Sequence, residues 1–145
     1  MNLEPYLFFT NTCRDAMTTY QQIFGGQLDM MTVGDMPPGA EPPPGEPNPD
    51  MVIHAALLLD DGRMLMASDD PTGDARGMVG AALSVAFDEA ADVARVFDAL
   101  ADGGSIDMPL GETFWSPQFG MCTDRFGTKW MVSITGAASS SEQEG

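Results

Sequence analysis

His54 is the only histidine in the chain. An imidazole ordinarily titrates near neutral pH, so this residue is the first candidate for general acid–base work or for ligation. With one imidazole, a histidine-rich metal site cannot be assembled. The strand reading given below places His54 on one face with Ala56 and Leu58, where a hydrogen-bonded structural role is the competing reading. The second candidate is Ser68-Asp69-Asp70, which ends a strand ahead of Pro71. Adjacent carboxylates could bind a cation or serve as acid and base, but successive strand residues point to opposite faces, so only one of them can look into a cavity. A calcium loop begun at Asp69 fails, because Gly80 stands where a bidentate Glu is needed.

Other chemistry drops out quickly. Gly73, Gly77 and Gly80 neither open a helix after a strand nor precede a lysine, so no phosphate loop or dinucleotide fingerprint is present. Cys13 and Cys122 are isolated and read as reduced thiols of a cytoplasmic protein, Cys13 on an apolar helix face and Cys122 with no neighbouring base in sequence. What remains is apolar. Phe114, Trp115, Phe119 and Trp130 cluster late in the chain, Met64 and Met66 alternate on one strand, and Met121 and Met131 sit on two others. Such residues fill cores, yet 12 methionines also suit an adaptable binding pocket. The expected pocket is lined by Phe8, Met66, Ser68, Asp69, Trp115, Phe119 and Met131, with His54 at its polar end.

The elements that must position these residues follow from periodicity and turn chemistry. Residues 5–9 form a short strand. Thr12 and Asp15 have capping-box spacing, and Cys13, Ala16, Met17, Tyr20 and Phe24 mark one helical face that ends at Gly25-Gly26. Strands are predicted over 27–33, 51–59 and 63–68, the last two joined by Asp60-Asp61-Gly62. The order β-α-β-β-β then recurs: a strand over 81–86, Asp88 as N-cap, a helical stripe of Val93, Val96, Phe97 and Leu100, and Gly103-Gly104. Strands follow over 106–110, 119–123 and 128–134, with Asp124-Arg125-Phe126-Gly127 as the turn. Placing Leu7 on Leu83 and Phe24 on Leu100 gives an offset of 76, and the glycine pairs give 78, which marks a duplicated module. The first copy is longer by 13 residues, and the excess falls on 36–50, which holds seven of the 11 prolines and reads as a loop. The domain expected is 1–135, with modules over 1–74 and 78–135 and a disordered tail over 136–145.

Composition bounds the partners. A chain of 145 residues makes one compact domain or two very small ones, and its size needs no metal or disulfide staple. Six basic against 22 acidic residues give a net charge of −16. That charge argues against nucleic acid, anionic membrane and anionic ligands. No basic leader precedes an apolar run, and the longest apolar stretch, 55–59, is too short to span a bilayer.

In order, residues 5–9, Tyr20 to Gly26, 54–57, 65–69, Ala99 to Gly104, Thr113-Phe114-Trp115 and Phe119 to Trp130 resemble the vicinal oxygen chelate superfamily of glyoxalase, bleomycin-resistance and dioxygenase proteins. Within it the chain resembles the PhnB-like group, also labelled 3-demethylubiquinone-9 3-methyltransferase-like. The resemblance implies an α+β fold, two tandem βαβββ modules forming an incomplete barrel with a cavity between them, and a homodimer that in some members pairs modules from different chains. It also implies a divalent metal held by His, Glu or Gln on the first and last strands of each module. Those positions fall near Pro5, Met66, Gly80 to Ala82 and Met131, none of which suits such an ion. The functional expectation is a protein that binds or sequesters a small, largely apolar molecule. The alternative is an enzyme, either with an unusual metal site built from His54 and Asp69 or metal-free with His54 as base.

Overall fold

The computed structural model describes every residue except 44, 46–47, 74–75 and 136–145, so the tail expected to be disordered lies outside the described residues. In chain order the elements are β1 (Tyr6–Phe9), α1 (Cys13–Phe24), β2 (Gln27–Thr32), β3 (Val52–Leu58), β4 (Met64–Asp69), β5 (Leu83–Phe87), α2 (Ala90–Ala101), β6 (Ser105–Gly111), β7 (Phe119–Thr123) and β8 (Lys129–Ile134). They make two units, one over Met1–Arg76 and one beginning at Gly77. Each is a four-stranded mixed sheet, ordered β1-β4-β3-β2 and β5-β8-β7-β6, and neither sheet closes on itself. The outer pairs β1–β4 and β5–β8 are parallel and all the others antiparallel. This is the α+β arrangement of two βαβββ modules.

In the first unit, strand alternation sends Leu7, Phe9, Ala55, Leu57, Leu65 and Ala67 toward α1, whose Cys13, Ala16, Met17, Tyr20 and Ile23 are buried with them. The helical stripe therefore closes on Ile23 and leaves Phe24 half-buried. Both positions continue a 3.6-residue period, and the sheet beneath selects the first. In the second unit Val93, Val96, Phe97 and Leu100 of α2 pack with Trp130, Val132 and Cys122.

Hydrogen bonding fixes how the copies correspond. The Phe9 carbonyl accepts the Asp70 N–H and the Phe87 carbonyl accepts the Thr135 N–H, each at 2.7 Å. Phe9 thus falls on Phe87, and Leu7 on Val85 rather than Leu83. A shift of two residues keeps every side chain on its face, so alternation alone could not detect it. The helices correspond with a shift of 77, Cys13 on Ala90 and Phe24 on Ala101. The first copy has one more residue between strand and helix, accommodated with Asn11 at φ 64°.

Two expected caps are replaced. Thr12 makes no side-chain cap on α1; Asp69 supplies an acceptor from β4 instead. The N-cap position of α2 is Glu89, which makes no side-chain cap, while the Asp88 carboxylate accepts from the Thr135 hydroxyl. A capping pair does form at the short 3-10 turn Val33–Asp35 after β2, where the Asp35 carboxylate accepts both the N–H and the hydroxyl of Thr32. Those bonds hold the Asp35 carboxyl below its usual range. The proline-rich segment carries no strand or helix among its described residues. It is tied off where Gly34 and Val33 donate to the carbonyls of Pro49 and Met51, both at 2.9 Å.

The hairpins require bare backbone at matched places. A Cβ on Gly26 would come within 2.4 Å of the Leu58 carbonyl oxygen, and one on Gly104 within 2.1 Å of the Thr123 carbonyl oxygen. Gly104→Ala is expected to cost about 1–3 kcal/mol, read from urea melts. Gly111→Ala, whose Cβ would meet nothing nearer than 3.9 Å, should leave the midpoint almost unchanged.

Candidate functional site

The same alternation that buries one face of each sheet leaves the other open. On the first sheet this open face carries Tyr6 and Phe8 of β1, Met64, Met66 and Ser68 of β4, His54, Ala56 and Leu58 of β3, and Gln27, Asp29 and Met31 of β2. Phe8 is 57% exposed, Met31 47%, Leu58 42% and Tyr6 38%. The register runs Tyr6, Met66, Ala56, Asp29 straight across the four strands, and Met31 stands opposite His54 on the next row.

His54 is exposed on this face and has one polar partner among the described residues. The Tyr6 hydroxyl lies 3.1 Å from its Nδ1, and the two rings are tilted with centroids 5.8 Å apart. Tyr6 also meets Phe8 at 5.3 Å between centroids. The result is a largely apolar surface with the Tyr–His pair set into it and Gln27 and Asp29 along its β2 edge. Sequence reasoning placed Leu58 on the face of His54 but missed Tyr6 and Met31. Tyr6 could have been found from its spacing to Phe8, since i and i+2 share a strand face, but its contact with His54 reaches across the intervening β4.

The second sheet's open face carries Ser84 and Ala86 of β5, Met131 and Ser133 of β8, and Phe119 and Met121 of β7. Phe119 is buried against Trp115, whose ring meets it edge-on at 5.4 Å; Phe114 packs edge-on against Trp115 at 4.7 Å and is otherwise exposed. Counted from the turn glycines Gly62 and Gly127, His54 and Phe119 occupy the same position in the two copies, as do Met66 and Met131, and Ser68 and Ser133. Six of the anticipated site residues thus fall into two sets. Phe8, His54, Met66 and Ser68 share one open face, and Phe119 and Met131 share the other, with Trp115 packed against Phe119.

Asp69 belongs to neither open face. It is buried on the helix side, where Oδ1 accepts the Cys13 N–H and Oδ2 the Val52 N–H, both at 3.0 Å. It lines a polar depression of about 210 Å³ with Asn11, Arg14 and Asn48. The ligand pair anticipated from His54 and Asp69 is corrected accordingly: the two leave their sheet on opposite sides, because odd-numbered residues of β4 point to the helix and His54 does not. Asp124, at the β7–β8 turn, is the buried acid among the described residues of the second unit. It accepts from the N–H groups of Phe126 and Thr128 and from the Trp130 indole at 2.9–3.0 Å.

A divalent metal fits these residues poorly. Met66 stands opposite Tyr6 and Met131 opposite Ser84 in the parallel pairs, so thioethers occupy the strand positions where the resemblance calls for imidazole or carboxylate. Among the described residues no three His, Cys, Asp or Glu side chains converge. The thiols are shielded. Burial, helped by the Asp69 charge, pushes Cys13 up to about 12, and burial with the Asp124 and Asp107 charges pushes Cys122 up to about 11. Neither is a nucleophile near neutral pH.

Two tandem βαβββ modules, each an open four-stranded mixed sheet carrying one helix, define a glyoxalase-like module pair. The chain belongs to the Glyoxalase/Bleomycin resistance protein/Dioxygenase superfamily, whose model matches residues 2–132. It is 36% identical over 141 residues to Protein YjdN of Escherichia coli K12, covering 92% of this chain and 95% of that one. The crystal structure of PA1353 from Pseudomonas aeruginosa is 42% identical, with a TM-score of 0.80 over 92% of this chain and 97% of the other. A PhnB protein of Bacillus cereus, which bears the name 3-demethylubiquinone-9 3-methyltransferase, is 26% identical with a TM-score of 0.71, covering 93% of this chain and all of that one. Among the described residues no helix is long and apolar enough to cross a membrane.

Removing the Asp69 acceptor strands two buried N–H groups. Asp69→Ala is expected to lower unfolding free energy by about 2–4 kcal/mol, with Asp69→Asn costing less because one carbonyl oxygen remains; chemical denaturation reads both. The thiols give a second expectation. Their folded pKa values lie above the ordinary 9.0, so above pH 9 the native state holds more protons than the unfolded state. Their contribution is complete below pH 9 and is lost as pH rises toward 11 to 12. Melts of wild type and Cys13→Ala across pH 8–11 should show a shallower alkaline decline in the variant.

Proposed function

We propose that this protein binds or sequesters a small, largely apolar molecule on the open face of its first sheet, with His54 as the polar anchor. The observation that carries the reading is the exposure of Phe8, Met31, Leu58 and Tyr6 around one Tyr–His pair. A sheet face that is not covered ordinarily carries polar side chains, and clustered exposed apolar groups mark binding surfaces. Methionines beside aromatic rings let such a surface adapt to differently shaped ligands. With a net charge of −16 and only six cations in the chain, a neutral molecule meets less resistance than an anion. In keeping with this reading we take the protein to act as a cytoplasmic homodimer.

One observation also favours catalysis. In that reading Tyr6 accepts from Nδ1–H across the 3.1 Å contact, which leaves the second ring nitrogen unprotonated and able to take a proton from a bound substrate. Binding and turnover separate in a single experiment: a panel of neutral aromatic compounds is screened by thermal shift, and each hit is incubated with the protein and followed by mass spectrometry. Binding without turnover supports sequestration, and conversion lost in His54→Ala supports the enzyme. Phe8→Ala is expected to weaken a hit about tenfold, since burying a phenylalanine contributes about 1.5–3 kcal/mol, while leaving the melting temperature of the free protein unchanged. Unaltered affinity in Phe8→Ala would place the ligand elsewhere.

A further inference from the structure

The Tyr6–His54 pair determines more than the location of a polar spot; it decides which kind of polar group the spot presents. The ring of His54 offers one nitrogen to Tyr6, namely Nδ1 at 3.1 Å from the phenolic oxygen. Its other nitrogen, Nε2, is the one left to meet a ligand. A neutral imidazole carries its proton on one nitrogen only, so the bond at Nδ1 dictates the role at Nε2. A phenol O–H is a stronger donor than an imidazole N–H, and an imidazole nitrogen is a better acceptor than a phenol oxygen. The favoured arrangement has Tyr6 donating to Nδ1, which puts the proton on Nε2.

We infer that the Tyr6–His54 pair holds His54 as the Nε2–H tautomer, and that the open face therefore selects neutral apolar ligands bearing a hydrogen-bond acceptor such as a ketone, ester or amide carbonyl. The rest of the first sheet's open face agrees with this assignment. Around His54 stand Met31, Ala56, Met66 and Phe8, which have no side-chain donor, and the Ser68 hydroxyl on the same face is buried. An anionic acceptor is disfavoured because Asp29 lies on the same face, in the row of Tyr6 and Met66, and the whole chain is strongly acidic. The corresponding position of the second sheet is Phe119, which has no polar atom, so the selectivity belongs to one copy of the module alone. This inference rests on the binding proposal above and names the ligand chemistry for it.

The chain's single histidine makes the test direct. Long-range proton–nitrogen correlation spectra of the ¹⁵N-labelled free protein, at a pH where the ring is neutral, report one imidazole and need no assignment. Protonation at Nε2, shifting toward a mixture of tautomers in Tyr6→Phe, supports the inference. Protonation at Nδ1, or a population that Tyr6→Phe leaves untouched, overturns it whatever the ligand results. Binding is then measured with 2-acetylnaphthalene, 2-ethylnaphthalene and 2-naphthoate. The acetyl compound is expected to bind about fivefold more tightly than the ethyl one, with the preference lost in His54→Ala and retained in His54→Gln, whose side-chain amide also donates. Naphthoate should bind less tightly than the acetyl compound. Equal affinity for the acetyl and ethyl probes, or tighter binding of naphthoate, overturns the ligand class while leaving an apolar binding face in place. Failure of all three to bind would overturn the binding proposal and the ligand class with it, even with the tautomer as inferred.

Discussion

A buried carboxylate holds the first unit together at the point where its segments diverge. Asp69 ends β4 and accepts the N–H of Cys13, 56 residues earlier, and the N–H of Val52, 17 residues earlier. One side chain thereby joins the last strand to the first turn of α1 and to the entry of β3. The N-terminus of a helix has free N–H groups and a partial positive charge, so an acid buried there compensates both. The adjacent Asp70 N–H reaches back to the Phe9 carbonyl, which sets β1 beside β4. With helix, edge strand and β3 located from one end, the alternation of each strand decides which residues are covered by α1 and which are left open. The exposed Tyr6, Phe8 and His54 follow from that choice.

The second unit reaches the same topology by a different route. Its position corresponding to Asp69 is Ile134, so no acid from the last strand caps α2. The buried acid sits instead at the β7–β8 turn, where Asp124 gathers two backbone N–H groups and the Trp130 indole. The fold asks only that buried donors be satisfied, and either turn or helix end can take the carboxylate. Because each copy solves that requirement separately, the open faces were free to diverge. His54 in one copy stands where Phe119 stands in the other, while Met66 and Met131, and Ser68 and Ser133, keep their residue types on the central strands of both sheets.

Much of this was legible in the residues. The turn glycines, the two amphipathic stripes and the proline-rich excess of 36–50 are local signals, each arising from backbone or periodicity constraints within a few residues. The misreadings all concern distant partners. Thr12 and Asp15 have the right spacing for a cap, yet Asp69 takes that role because it is buried and arrives from the other end of the unit. Asp69 read as a pocket acid because nothing in a strand sequence says which of its two faces a helix will cover. Leu7 was laid on Leu83 instead of Val85, a slip of two residues that a period-two pattern cannot see.

By itself, then, the sequence determined the order of elements, their duplication, the place of the long loop and the chemical types available: one imidazole, few cations, many methionines and aromatics. These are properties of composition and of short-range spacing, where each residue acts on its neighbours along the chain. Only the tertiary structure decided that Tyr6 meets His54 across β4, that Asp69 faces the helix, and that His54 and Phe119 are counterparts. Those facts depend on strand order and register, which are set by hydrogen bonds between segments tens of residues apart, and no local pattern encodes them.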